Sequence, residues 1–370
     1  MSGGGLSRGT ALVEAPHPAL HPKSGKPDFG TVRVEFGNRR IRLAGEGFRW
    51  GARMIEIFGI PSTALFGQLL VGLINGSFYA LLSLGLAVIF GMLNIINFAH
   101  GAQYMMGAFC AFLLLNGIDV PVIEDFGSWP PAIGFRHLES GLDYWWSLLL
   151  VPIIVGAVGI AIERLFLQWL YRLDHLYGLL LTFGLALIIE GVFRHRFGSS
   201  GLPYRVPDAL QGAQNLGFMF LPNYRAWVIA VSVVVCFGTW FVIERTRLGS
   251  YLRAATENPQ LVRAFGINVP RMIMLTYGFG VALAALAGVL AAPIYNVSPQ
   301  MGSELIIVVF AVVVIGGMGS ILGAILTGFG LGIIEGLTKV FFPEASNTVI
   351  FVIMAIVLLI RPAGLFGREA

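Results

Sequence analysis

The chain alternates between long apolar runs and short polar stretches. Nine apolar runs can be recognised, at 64–91, 99–117, 146–166, 177–193, 226–243, 272–292, 304–317, 320–341 and 347–360. A helix that crosses the hydrocarbon core of a bilayer needs about 20 apolar residues. Several of the runs are short or interrupted by glycine, so we expect about nine spans within a range of eight to ten. The pattern predicts an all-α, polytopic transmembrane helical bundle that contains broken helices.

The composition agrees with a membrane protein and excludes an ordinary soluble enzyme. Hydrophobic residues make up 56% of the 370 residues and charged residues 12%, whereas soluble domains carry about 25% charge. The charges are uneven, because residues 1–60 hold 14 of the 44. We therefore predict a polar N-terminal extension, 1–60, followed by a membrane domain, 61–370. Cys110 and Cys236 both lie in apolar runs, so they predict neither a disulfide nor a metal site.

Basic residues in the polar segments predict which side of the membrane each segment faces. The segment 244–271 carries five arginines, the segment 164–176 carries two, and Arg361 and Arg368 follow the last apolar run. With nine spans these three segments share one side, and their arginines place that side in the cytoplasm. The segment 118–145 holds five acidic residues and one arginine, which suits the outer side.

The same count of spans puts the N-terminal extension outside. That placement conflicts with its basic residues, of which Arg49 and Arg53 come close to the first span. Two arrangements stay open at this point. Either the extension is translocated, or the stretch 64–98 crosses the membrane twice.

The first candidate functional segment is Asn94-Ile-Ile-Asn-Phe-Ala-His-Gly101, between two apolar runs. Asn94, Asn97 and His100 are costly in hydrocarbon, so at membrane depth they must face protein, water or a substrate path. Gly101 would allow a helix break or a close helix contact. We predict that these residues line or brace a central passage, and a loop at the membrane surface is the alternative. His100 has no second ligand at helical spacing, so no metal site is expected.

The second candidate segment is Gly316-Gly-Met-Gly-Ser-Ile-Leu-Gly323, also between two apolar runs. It lacks the lysine and serine or threonine that complete a phosphate-binding loop, and no such loop occurs in the chain. Gly316, Gly317, Gly319 and Ser320 predict a helix broken inside the membrane. Small-residue packing between helices is the plainer interpretation, and the two are compatible.

The third candidate segment is the basic loop from Arg253 to Val269. Pro259 suits the first turn of a helix, and Gly266 suits the position after its end. Leu261, Val262 and Phe265 are predicted to share one apolar face, with Glu257 and Arg263 at its rim. Such a helix can lie on the membrane or dock in the groove of a partner, whereas a solvated basic connector is the plainer alternative.

Few ionisable residues lie within or beside the apolar runs. They are Glu163, Glu190, Glu304, Glu335 and Lys339. Glu335 and Lys339 stand four residues apart and can pair on one helix face. Most of the five lie near helix ends, where an interfacial or structural role is expected. His100 stands alone, so no catalytic cluster is predicted.

These residues resemble a known family, the permeases of branched-chain amino acid ABC importers, and more closely the first of the two permeases that such systems usually carry. The segments that carry the resemblance are Asn94–Gly101, Glu163–Arg164, Leu179–Glu190, Arg253–Asn268, Ala287–Leu290, Gly316–Ser320 and Arg361–Leu365. It covers about 60–370. Members often have an acidic residue after the His-Gly pair, where this chain has Ala102 and Gln103. Permeases for urea and short-chain amides share the same frame and stay open as an alternative.

The resemblance implies one transmembrane half of a bacterial inner-membrane importer for branched-chain or related hydrophobic amino acids. Its partners would be a second permease, two ABC ATPase subunits, a periplasmic substrate-binding protein and the lipid bilayer, with no nucleic acid. No cofactor and no catalytic activity of its own are implied. The ATPase coupling loop would comprise Arg253, Glu257, Leu261, Val262, Arg263, Phe265 and Gly266.

Two other classes of function fit the sequence less well. An ion-coupled secondary transporter would usually place carboxylates in the middle of the membrane, where these apolar runs have almost none. A membrane-embedded enzyme would need a clustered nucleophile, base or metal set.

Overall fold

A computed structural model describes residues 56–57, 60–93, 96–125, 132–138, 142–171, 173–216 and 219–367. The described residues form eleven α-helices. They are α1 Ser62–Leu93, α2 Ala99–Asn116, α3 Tyr144–Leu165, α4 His175–Phe197, α5 Asn223–Arg245, α6 Arg247–Glu257, α7 Pro259–Ala264, α8 Val269–Ala291, α9 Met301–Gly316, α10 Ile321–Phe341 and α11 Val349–Ile360. The predicted extension, 1–60, lies outside the described residues except for 56–57 and 60.

Each of the nine predicted apolar runs coincides with a helix, so the prediction of an all-α, polytopic bundle is confirmed. In the described part, six helices are long and apolar enough to cross a membrane by length and composition: α1, α3, α4, α5, α8 and α10. Helices α9 and α11 are apolar but shorter. Helix α2 has 18 residues, but polar side chains such as His100 and Gln103 lower its hydropathy.

Helices α1 and α8 form the centre of the bundle. Within the most apolar stretch of each, 83% of α1 and 67% of α8 is buried, against 11% of α4. Helix α10 runs antiparallel along α1, and small residues bring the two backbones together. A Cβ at Gly328, for example, would lie 2.6 Å from the Cα of Ala80. Helix α3 packs on the other side of α8 through Gly156 and Gly278.

One end of the bundle is basic. A cavity lies there between the loop that contains α6 and α7 and the ends of three other helices: the last turn of α1, the end of α3 and the start of α8. It is lined by Arg164, Arg263 and Arg271. Three arginines from the segments 164–176 and 244–271 therefore lie at the same end of the bundle. Because Ser62–Leu93 is one continuous helix, the alternative in which the stretch 64–98 crosses twice is wrong.

Short antiparallel hairpins complete the structure. Strands β3 Ile118–Asp125 and β4 Ala132–Leu138 pair within the acidic segment 118–145, between α2 and α3. Two smaller pairs are β1 Glu56–Ile57 with β2 Ile60–Pro61, and β5 Ala213–Asn215 with β6 Phe220–Pro222.

Candidate functional site

The first break separates α1 from α2, and a single hydroxyl from α4 supports it. Thr182 is fully buried. Its Oγ1 donates to the carbonyl oxygen of Ile96 (3.2 Å) and accepts from the backbone N–H of Phe98 (3.2 Å). Unpaired backbone groups are costly away from water, so this side chain stabilises the non-helical turn. Asn94 lies outside the described residues.

Asn97 joins the break to the central helix α8. Its Nδ2 donates to the hydroxyl oxygen of Tyr277 (3.1 Å), which also accepts from Gln103 Nε2 (2.9 Å). All three side chains are at most 1% exposed. The Oδ1 atom of Asn97 is buried without a partner in the described structure. The segment therefore lies inside the bundle, which does not fit the alternative of a loop at the membrane surface.

His100 braces the start of α2 against α1. Its Nε2 lies 3.1 Å from the carbonyl oxygen of Leu82, in the middle of α1, and the residue is fully buried. The imidazole sits over Gly85, where a Cβ would come within 3.0 Å of the ring. Gly101 lies against Gly302 of α9, and a Cβ there would be 2.5 Å from the Gly302 carbonyl oxygen. The described residues of the segment therefore hold the start of α2 against α1 and α9.

The second break is a tight turn between α9 and α10. Gly317 and Gly319 have φ values of 99° and 82°, in the left-handed region that favours glycine. Ser320 then caps α10, because its Oγ accepts from the backbone N–H of Gly323 (3.1 Å). The residues after α11 cover the turn, and Leu365 N donates to Ile315 O at 2.8 Å.

This turn lies at the basic end of the bundle, and not halfway along the helices as the expected intramembrane break would. Gly319 faces Gly91, close to the end of α1. The same small cavity, of about 90 Å³, is lined by Glu244 and Arg253 of the basic loop. The two glycine-containing breaks therefore lie at different depths.

The basic loop is fixed to the bundle at both of its helices. Arg253 of α6 donates to the carbonyl oxygen of Ile243 (3.1 Å) and to Glu244 Oε2 (3.2 Å). In α7, Val262 is buried in a small cluster with Ala255 and Val269. The helix itself begins as predicted, because Asn258 caps it and Pro259 occupies its first turn, and Gly266 follows it with φ 82°.

Two apolar side chains, one in α7 and one directly after it, point away from the bundle. Leu261 is 54% exposed and Phe265 is 77% exposed. They stand four residues apart and share a face. Val262 does not share that face, contrary to the sequence prediction, because the next residue of a helix is turned by about 100°. Glu257 and Arg263 are exposed beside the pair.

A cavity of about 830 Å³ separates this loop from the ends of α1, α3 and α8. Arg164, Arg263 and Arg271 line it, and within the described ranges none of them has an ion pair. Tyr171 donates to Glu163 Oε1 at 2.6 Å in the same cavity. Burial and this carboxylate raise the pKa of the Tyr171 hydroxyl above its ordinary value. The cavity is basic and presents unpaired donors at the end of the bundle.

Glu335 holds a polar cluster between α1 and α10. It pairs with Lys339, which confirms the predicted i, i+4 contact. Its two carboxylate oxygens also accept from Asn75 Nδ2 (3.1 Å) and from the Tyr79 hydroxyl (2.7 Å). Sequence reasoning missed these two α1 residues, and likewise Thr182 and Tyr277, because a lone polar residue in an apolar run carries no signal of its partner. No group of three or more His, Cys, Asp or Glu side chains comes together within the described part.

Six described helices are long and apolar enough to span a membrane. Polar side chains buried between the helices join them, and one end of the bundle is basic. These features define a multi-pass membrane protein. A family model described as the permease component of branched-chain amino acid transport systems matches residues 68–358. The chain belongs to this family.

The chain is similar over most of its length to several named proteins. The high-affinity branched-chain amino acid transport system permease protein BraD of Pseudomonas aeruginosa is 31% identical over 306 residues, which is 81% of this chain and 95% of BraD. The corresponding permease protein LivH of Escherichia coli is 29% identical over 315 residues, with the same two coverages. A probable LivH permease of Methanocaldococcus jannaschii is 27% identical over 316 residues, 80% of this chain and 91% of the relative. These relatives are permeases of transport systems and not enzymes.

Proposed function

We propose that this chain is a transmembrane permease subunit of an ATP-binding cassette importer. It would carry branched-chain or related hydrophobic amino acids across a bacterial inner membrane. The observation that carries the proposal is the family match over residues 68–358. Residues 61–370 would form the permease domain, and 1–60 an extension to it.

The proposed complex contains a second permease, two ABC ATPase subunits and a periplasmic substrate-binding protein. Two features of the chain support this composition. It has no phosphate-binding loop, so the energy of ATP must arrive through protein contact. It also buries only 28%, 11% and 28% of the most apolar stretches of α3, α4 and α5, which provides surface for lipid and for a second permease.

The exposed face of α7 is the proposed contact with an ATPase. Leu261 and Phe265 offer an apolar surface beside unpaired arginines, which suits a groove with an acidic rim. Val262 and Arg253 fix the loop to the ends of α1, α5 and α8. When ATP binding closes the ATPases, a displacement of α7 would therefore pass directly to three helices of the bundle.

Uptake into proteoliposomes that contain the full importer tests the class of function. We expect uptake of labelled leucine that requires ATP and the substrate-binding protein. Uptake driven by a proton or sodium gradient without ATP would identify a secondary transporter instead. ATP-driven uptake of urea or a short amide, with none of leucine, would keep the mechanism and overturn the substrate.

The coupling contact is tested by Phe265→Asp. An aspartate at the centre of an interface buries an unpaired charge, so we expect the ATPase to be lost on co-purification and uptake to be abolished. Phe220→Asp is the matched control, because Phe220 is 68% exposed but lies in β6, near the start of α5 and away from the basic end. Normal ATPase binding and uptake by Phe265→Asp would show that the loop is only a connector.

A further inference from the structure

A second cavity, of about 170 Å³, lies between α1, α2, the segment 292–300 and the start of α9. We call it the outer chamber, because its α1 residues, 75–79, lie farther from the basic end than Leu82, which His100 contacts. Its lining residues are Asn75, Phe78, Tyr79, Tyr104, Tyr295, Asn296, Ser298, Met301, Glu304 and Leu305. Neither helix break nor the basic loop contributes to it.

Tyr104 provides the first indication of a ligand. Its side chain is 1% exposed and its hydroxyl has no hydrogen-bond partner in the described structure. A buried, unpaired hydroxyl destabilises a protein. The two other tyrosine hydroxyls of the chamber are engaged, because Tyr295 donates to Asn75 Oδ1 (2.9 Å) and Tyr79 donates to Glu335 (2.7 Å). A bound polar group would satisfy the Tyr104 hydroxyl.

Glu304 provides the second indication. It lines the chamber from the first turn of α9, and it has no ion pair within the described ranges. The neighbouring carboxylate, Glu335, is already neutralised by Lys339. The Glu304 side chain is exposed, so its carboxylate is open to a cation that enters the chamber.

The rest of the lining is apolar. Phe78, Met301 and Leu305 contribute hydrocarbon surface, and the ring of Phe78 meets that of Tyr295 edge-on with centroids 5.7 Å apart. The chamber thus combines a single acid, a free hydroxyl and an apolar wall. This combination is complementary to a small molecule with an ammonium group, a polar oxygen and a short hydrocarbon side chain.

We propose that the outer chamber is a binding site for a small apolar amino acid on its way through the permease. The ammonium group lies at the Glu304 carboxylate, the Tyr104 hydroxyl donates to the substrate carboxylate, and the side chain packs on Phe78, Met301 and Leu305. The proposal rests on the proposed function and names the residues that contact its substrate.

The test uses Tyr104→Phe and Glu304→Gln in the full importer, with Glu344→Gln as a control at an exposed carboxylate outside the chamber. Tyr104→Phe removes one oxygen and keeps the packing, so it separates binding from folding. Equilibrium binding of labelled leucine is measured in nanodiscs without ATP or the substrate-binding protein, and uptake is measured in proteoliposomes. Each chamber variant is expected to weaken binding by at least about tenfold and to lower uptake, whereas Glu344→Gln matches the parent.

The outcomes separate the two proposals. If the parent takes up leucine with ATP and both chamber variants bind and transport like the parent, the chamber proposal is overturned and the importer stands. If the parent binds leucine through the chamber but takes it up with an ion gradient, the chamber stands and the ATP-driven mechanism is overturned. A parent that binds no leucine also overturns the chamber proposal.

Discussion

Asn97 shows how much one buried amide can hold together. It lies in the non-helical turn after α1, and through Tyr277 it reaches the central helix α8. Gln103 of α2 binds the same hydroxyl. A shift of the turn would therefore disturb contacts with both α8 and α2.

Replacing Asn97 with leucine should lower uptake several-fold while the importer still assembles. The variant loses a buried hydrogen bond, which destabilises this turn by about 1–3 kcal/mol, but Gln103 still holds Tyr277. Uptake per assembled complex is the measurement. Asn116→Leu is the control, because Asn116 is exposed and bonds only within α2. Unchanged uptake by Asn97→Leu would show that the hydrogen bond of Asn97 in this turn is not needed for transport.

Gly317 is constrained twice, by its backbone and by its surroundings. Its φ is 99°, and a Cβ would also lie 2.8 Å from the Cα of Gly367. Gly212 has a similar φ of 92° but its nearest neighbour is 3.6 Å away. Gly317→Ala should therefore reduce thermal stability clearly more than Gly212→Ala, for which the left-handed backbone alone costs about 1 kcal/mol. Equal melting temperatures would contradict the packing at this turn.

At the scale of elements, the antiparallel pair of α1 and α10 depends on small residues along one face. A Cβ at Gly332 would overlap the backbone of Gly76, whereas Gly330, two residues earlier in the same helix, has open space around it. The two positions are matched in sequence context and differ in what they face.

Gly332→Val should separate the two helices and destabilise the purified protein by about 1–3 kcal/mol or more. Gly330→Val should leave its stability nearly unchanged. The fraction folded after heating in detergent measures both. Similar losses for the two variants would mean that helix propensity, and not the contact with α1, decides the effect.

The existence of the helices was predictable and their partners were not. The run 226–243 became α5 Asn223–Arg245, because a bilayer demands a long apolar helix and little else satisfies it. The short α7 was also predictable, since Pro259 and Gly266 mark its ends. By contrast, Glu335 meets Asn75 from 260 residues away, and Tyr104 reaches the outer chamber from an apolar run. Such contacts depend on the packing of whole helices, for which a single sequence has no local signal.

For the molecule as a whole, arginines lie towards both ends of the bundle, and the largest group of them is in the 244–271 loop. The arginines of the 244–271 loop gather where α5 finishes, and the opposite end of α5 lies beside Gln211, whose carbonyl accepts from Asn223 (2.9 Å). The positive-inside rule assigns the arginine end to the cytoplasm.

Cysteine labelling in whole cells checks this orientation. Ser250→Cys should react with a membrane-impermeant maleimide only after the cells are opened, whereas Gln211→Cys should react in intact cells whose outer membrane has been made permeable. Both positions are exposed. The native Cys236 is buried and Cys110 is partly covered, so each substitution is made in a chain that retains both. The reverse labelling pattern would show that the arginine end faces outward.

The pairing of α1 with α10 also has a consequence for how the protein is made. Ribosomes add about 5–20 residues per second. Because Asn75 and Glu335 are 260 residues apart, α1 is synthesised roughly 10–50 s before α10. During that interval the glycine face of α1, with Asn75 and Tyr79 on it, has no partner in the lipid. We therefore expect an insertase or a chaperone at the translocon to shelter α1 until α10 arrives. A chain truncated before Ile321 should remain associated with that machinery and be degraded.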